Sequence, residues 1–384
     1  MDFSLTDEQK QLKDSLRRFL DKDYAFEARR SLVEKGSGFG RYTWKTIADL
    51  GLLALAVPEA QGGLAGTAVD TALVMEEFGR SLVVEPYAAV AVLATHAIAA
   101  AATDAQKDEW LPALAAGDAV IVLAHEEPAA RGRLEHVTTR ARRAPDGSYM
   151  IEGHKVLVQG APVADRILVS ARLSGAADDE TGLGLFMVER DARGLTRQDV
   201  RLLDGSPASD LRLDGVKVAP EAALGEPGKA FPAIASAVEQ MIVALCAEAV
   251  GAMDRTIWIT RDYPKTRKQF GVTLNTFQAL QHRMADMVIE HEMARSMLLR
   301  ALGALQESNP VTRSLGVSAA KAQVLRAARF VCAQGIQLHG GMGMTEEYVI
   351  GHYFKRINVI DALFGNIDHH VRRYAGALQT GHAA

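Results

Sequence analysis

The chain has 384 residues, too many for one ordinary compact domain, so two or three are expected. Hydrophobic residues make up 48% and charged residues 23%, the balance of a globular protein rather than a disordered or fibrous one. A net charge of −4, from 43 basic and 47 acidic residues, excludes a chain built for non-specific nucleic-acid binding, which needs a basic face.

Met1-Asp2-Phe3-Ser4 runs straight into a polar helical pattern, with no charged and apolar leader of the signal-peptide kind. Thr6-Asp7-Glu8-Gln9 offers a cap and early acids, and Leu12, Leu16, Phe19 and Leu20 follow at helical spacing. Leu50 to Glu59 ends at the breaker Gln61-Gly62-Gly63, and Val69 to Arg80 reads as an amphipathic helix. Tyr87 to Ala102 is the most apolar stretch. It is interrupted by His96 and is shorter than the ~20 residues a membrane span needs, so a core helix is expected and no membrane span.

Near residue 119 the period changes. Short β-prone runs follow: Val120–Leu123, Val137–Thr139, Tyr149–Ile151, Ile167–Val169, Leu185–Val188 and Val216–Val218. Turn residues such as Asp146-Gly147 and Asp204-Gly205 separate them, which predicts an antiparallel β module. After Pro227-Gly228 come long helical runs, broken at 271–275, at Asn309-Pro310 and around Gly340–Gly343. The predicted division is a helical segment at 1–118, a β segment at 119–228 and a helical bundle at 229–384. Cys246 and Cys332 sit in apolar helical stretches without nearby ligand partners, which fits buried thiols in a reducing cytoplasm. His282, Asp286 and Glu290 recur every four residues, the pattern of an exposed helical stripe rather than a metal site. His369 and His370 point ~100° apart on a helix and cannot easily share an ion. No metal is expected.

Two segments near the end carry the strongest signal. Gln337-Leu-His-Gly-Gly-Met-Gly-Met-Thr345 closes a helical stretch, and Arg356 to His370 follows it. Together they resemble the C-terminal signature of acyl-CoA dehydrogenases. The opening Phe3 to Gln9, the run from Leu50 through Pro58 to Gly62-Gly63, and Met75-Glu-Glu-Phe-Gly-Arg80 resemble earlier landmarks of that family. Cys246 to Gly251, Lys265 to Gly271 and Leu363 to His370 are most similar to the small subunit of pimeloyl-CoA dehydrogenase. The resemblance spans nearly the whole chain. It implies an α+β fold: an N-terminal helical domain, a central antiparallel β-barrel or sandwich, and a C-terminal four-helix bundle.

The implied activity is flavin-dependent α,β-dehydrogenation of an acyl-CoA thioester, with FAD (flavin adenine dinucleotide) as cofactor. In that family an arginine matched by Arg267 reaches the FAD pyrophosphate of a neighbouring subunit, a task suited to a planar guanidinium. Phe270, Phe277, Gln278, Gln337, Gly340 and Gly341 match segments that contact the same nucleotide. The flavin-ring half departs from the family pattern. Where the family has Thr-Glu-Pro, this chain has Glu126-Glu127-Pro128, a carboxylate in place of a hydroxyl; where it has Trp-Ile-Thr, this chain has Leu157-Val158-Gln159. The family's base is the glutamate of a Tyr-Glu-Gly triplet, and counting from Arg356 its place is taken by Gly365. The alternative location used by a minority of the family falls at Met241, with Glu239 and Glu248 off its position along the helix. The catalytic base is therefore unassigned, with Asp368, beside Asp361, as the fallback.

These departures predict the smaller, base-lacking partner of an α2β2 complex with a second acyl-CoA dehydrogenase subunit. Two alternatives stand beside it: a homo-oligomeric enzyme with a displaced carboxylate, and a non-catalytic acyl-CoA- or protein-binding scaffold. The resemblance further implies an electron-transfer flavoprotein as acceptor. It leaves substrate-binding residues and the acyl group open, whether dicarboxylyl, fatty or sterol-derived.

Overall fold

A computed structural model describes residues 5–34 and 38–379. Phe3 and Ser4 of the opening segment lie outside the described residues. The chain divides into two compact units, one from the described parts of 1–30, 68–83 and 242–384, the other from 31–67 and 84–241.

The first unit is helical. Helix α1 (Asp7–Asp23) starts in a capping box: Thr6 Oγ1 accepts from Gln9 N, and Gln9 Oε1 accepts from Thr6 N. Helix α2 (Phe26–Glu34) follows, and α3 (Arg41–Asp49) belongs to the second unit. Helix α4 (Ala68–Ser81) packs beside α1, where the Arg17 guanidinium forks the buried Glu77 carboxylate at 2.9 and 2.6 Å.

The second unit holds α3, a helical passage and the sheet. A π-helical turn at Ala88–Ala94 runs into α5 (Thr95–Ala101), and α6 (Asp104–Ala115) begins with a second capping box, from Thr103 and Gln106. The π-turn is almost all alanine and valine and is buried, so the stretch from Tyr87 is a core segment, although not a regular α-helix at its start. Seven strands follow: β1 (Ile121–Ala124), β2 (Arg140–Arg143), β3 (Tyr149–Gln159), β4 (Arg166–Arg172), β5 (Leu183–Glu189), β6 (Leu195–Arg201) and β7 (Pro207–Val218). They form one sheet in the order β1-β4-β2-β3-β7-β6, with β5 also paired to β4.

The sheet is mixed rather than wholly antiparallel. Strand β1 runs parallel to β4, Ile121 opposite Arg166. A long excursion through β2 and β3 separates the two in sequence, so no hairpin forces them antiparallel. The run Val137–Thr139 is not a strand. Several of its backbone groups are taken by side chains: Thr138 N and Thr139 N donate to Glu127, and Val137 O accepts from Arg172 Nε. Strand β6 has no apolar alternation to announce it, because it lies at the sheet edge with its polar side chains exposed.

Helix α7 (Phe231–Thr266) is the one described helix long and apolar enough to cross a membrane, but 83% of its most apolar window is buried in the protein. A short hairpin, β8 (Lys268–Gln269) and β9 (Val272–Thr273), leads to α8 (Gln278–Ala304). Helix α9 (Pro310–His339) has Asn309 as N-cap and Pro310 at its first position, both suited to a helix start. Helices α10 (Ile350–Ala362) and α11 (Ile367–Gln379) pack on α9. Cys246 and Cys332 are both buried and free, and burial pushes each thiol up to about 12.

Candidate active site

One end of the helical unit gathers the nucleotide candidates. The Tyr263 ring, near the end of α7, lies 4.4 Å from the His339 ring at the end of α9. Arg283 in the first turns of α8 donates to Gln334 Oε1 of α9 at 2.9 Å. These contacts bring the C-termini of α7 and α9 and the N-terminus of α8 together. Arg267 leaves α7 there, Gln278 opens α8, and Gln337 with Gly340-Gly341 closes α9. The side chains of Arg267, Gln278 and Gln337 are exposed, and none makes a hydrogen bond or ion pair within the described residues.

The hairpin between α7 and α8 projects outward. Phe270 at its tip is 91% exposed, with φ 54°, and meets the exposed Phe277 ring edge-on at 6.3 Å. An exposed phenylalanine on a two-stranded arm is costly in water and is the mark of a surface that something covers. Gly340 has φ 59°, and a Cβ built on Gly340 or Gly341 would meet nothing within 4 Å, so the backbone there is open to an incoming group. His339 Nδ1 donates to Gly335 O at 2.7 Å, leaving Nε2 an acceptor, buried and without a partner among the described residues. Burial lowers its pKa, so the ring is neutral. Uncommitted guanidinium and amide groups beside an open glycine backbone fit the phosphates and polar edges of a dinucleotide.

The residues matched to the flavin-ring half lie in the sheet unit. Glu127 is consumed internally: its Oε1 accepts from Lys155 Nζ at 2.8 Å and Thr139 N at 3.0 Å, and its Oε2 accepts from Thr138 N at 2.7 Å. Lys155 is fully buried and also donates to His125 O at 3.1 Å and Ser170 Oγ at 3.0 Å. Burial favours the neutral carboxyl, but the Lys155 ammonium and the hydrogen bonds outweigh it and hold Glu127 down at about 2. Glu126 contributes its carbonyl, which accepts from Val156 N at 2.9 Å. Leu157 sits on a β-bulge with φ 53° and its side chain 41% exposed, and its N–H donates to Asp210 Oδ1 at 3.0 Å; Val158 is buried and Gln159 half-buried.

Each carboxylate weighed as a base has a defined place. Glu248 is buried and gripped by the Arg356 fork at 2.6 and 2.8 Å. Asp361 Oδ1 caps α11, accepting from Ile367 N at 3.0 Å. Asp368 lies in the first turn of α11 and is exposed. Glu239 is nearly buried, and Met241 is fully so. Sequence reasoning missed the Lys155 network, although its signal was present: Tyr149, Ile151 and Lys155 share one parity on β3, the buried one.

Comparison with known proteins gives the class. Models of the acyl-CoA dehydrogenase N-terminal, middle and C-terminal domains match residues 6–118, 123–216 and 228–378. The chain belongs to the acyl-CoA dehydrogenase family, and it has that family's fold, with FAD as the cofactor and dehydrogenation of an acyl-CoA as the chemistry. Among individual proteins it is 31% identical to the probable acyl-CoA dehydrogenase YngJ of Bacillus subtilis, over 91% of this chain and 92% of that one. Butyryl-CoA dehydrogenase from Megasphaera elsdenii superposes with a TM-score of 0.88 at 25% identity, covering 99% of this chain and 100% of the other. A variant of the Tcur3481-Tcur3483 steroid ACAD superposes with a TM-score of 0.87 at 28% identity, covering 98% and 99%.

Proposed function

We propose that this chain is the base-lacking partner in a heteromeric acyl-CoA dehydrogenase, lending Arg267, Gln278 and the Gln337–Gly341 turn to FAD held mainly by a second, related subunit. One contrast carries the reading. Arg267, Gln278 and Gln337 are exposed and uncommitted, whereas Glu248 is bound to Arg356, Asp361 caps a helix, and Gly365 stands at the base position. A hydrogen-bonded, buried carboxylate cannot take a carbon-bound proton without breaking its ion pair. The exposed Phe270 arm accords with a role completed by another chain. So does the name of the solved relative Tcur3481-Tcur3483, which joins two designations.

FAD, when bound, supplies the hydride acceptor. This chain's part is to bind and orient: a forked guanidinium for the pyrophosphate, amide side chains for polar edges, and the open glycine turn for close backbone approach. An electron-transfer flavoprotein as acceptor and a cytoplasmic setting complete the reading.

The test is to purify the chain alone and with a candidate partner carrying an intact Tyr-Glu-Gly triplet. Full FAD content and acyl-CoA oxidation by the chain alone would overturn the proposal. In the complex, Arg267→Ala is expected to weaken FAD retention roughly tenfold or more, since a charge-assisted hydrogen bond is worth about 1.5–3 kcal/mol. Because Arg267 is exposed and has no partner among the described residues, the variant's circular dichroism and melting curve should not change.

A further inference from the structure

Position 365 is closed as well as empty. Phe364 has φ 55° and Gly365 φ 89°, so the turn into α11 passes through two successive left-handed residues. A Cβ built on Gly365 would come within 2.5 Å of His369 Cδ2, 2.9 Å of Cγ and 3.2 Å of Nε2. The half-buried His369 ring is braced edge-on against His370, at 5.1 Å and 85°. His370 is itself buried, joined to Ser318 Oγ and to Phe364 O, each at 3.1 Å.

The turn cannot easily retreat either. The buried Lys321 ammonium donates to Leu363 O, Asp361 holds Ile367 N, and Asn366 Oδ1 accepts from His369 N at 2.9 Å. Ring and turn are thus fixed from opposite sides, and the gap between them admits a hydrogen atom but not a methyl group.

We propose that His369 is a plug: its imidazole fills the space that any side chain at 365 would enter, so this chain's copy of the base position is shut by its own structure. The inference deepens the base-lacking reading and rests on it for the meaning of position 365. It adds that the loss cannot be undone at one residue. A carboxylate returned to 365 would need both a left-handed backbone and the volume of His369.

A double-mutant cycle separates those two obstacles. Gly365→Ala is made in the natural chain, with His369→Ala and with His369→Phe, and the unfolding midpoint of each protein is measured. The expected result is a fall of several degrees for Gly365→Ala in the natural chain, a clearly smaller fall alongside His369→Ala, and a fall of the original size alongside His369→Phe. The backbone strain is common to all three, so any difference belongs to the ring. Recovery of soluble protein only with His369→Ala would also support the plug. A penalty independent of residue 369, including failure to fold in every background, would overturn it. The outcome is separate from that of the two-chain reading: a chain that oxidised acyl-CoA unaided would sink the latter and leave this cycle as measured.

Discussion

Lys155 is the residue on which the sheet unit's polar interior turns. Its ammonium, wholly out of water, reaches three oxygen partners, and Glu127 in turn accepts from Lys155, Thr138 and Thr139. A buried pair contributes little net stability when complete, but removing one member strands the other. Lys155→Met is therefore expected to cost about 3–5 kcal/mol in urea unfolding, and adding Glu127→Gln should return a large part of it. A loss in the double variant equal to the sum of the two single losses would show the two groups to be uncoupled. The glycine at 365, the position where the resemblance counts the family's base, could be read from the chain, because a residue type at a counted position is sequence information. The His369 ring against it could not, since that contact depends on the path of the Phe364–Gly365 turn.

Helix α4 crosses α7 through two glycines, one on each helix. A Cβ on Gly79 would overlap the Glu248 carbonyl oxygen, and a Cβ on Gly251 would overlap that of Glu76. Backbone meets backbone at this crossing, so the helices, not a side chain, would have to move. Gly251→Ala improves intrinsic helix propensity by about 1 kcal/mol, yet it is expected to destabilise the fold by 2 kcal/mol or more, of order the cost of overpacking a core. Thermal denaturation distinguishes the two directions, and a raised midpoint would contradict the crossing geometry. The glycine could be read as part of a run resembling the family, but not as a helix contact. The helices themselves were legible from caps and period: Thr6 and Gln9 for α1, Asn309-Pro310 for α9. Edge strand β6 and the side-chain-bonded segment at 137–139 were not, because exposure and long-range hydrogen bonding overrode the local pattern.

Across the whole molecule, buried and half-buried histidines couple the fold to pH. Burial is the main cause in each case, pushing His125 and His370 down to about 3 and His96 to about 4. A ring that is neutral when folded but binds a proton near 6.5 when unfolded favours the unfolded chain in acid. Stability is therefore fully present above about 6.5 and falls as the pH drops toward those folded values, by on the order of 1 kcal/mol per pH unit for each such histidine. Glu127, held at about 2, adds a loss of the same sign below its ordinary value of 4.5. Urea midpoints measured between pH 7.5 and 4 should fall steadily, and a flat profile would refute the neutral-histidine assignment.

By itself the amino-acid order determined the family and the succession of helices, strands and helices. Those depend on periodicity, caps and the spacing of residue types along one chain. Only the tertiary structure decided which charged groups are already engaged and which remain available. Glu248 faces Arg356 from 108 positions away, while Arg267 faces no partner among the described residues. Availability is a matter of distance in space, and distances of that kind exist only once the chain has folded.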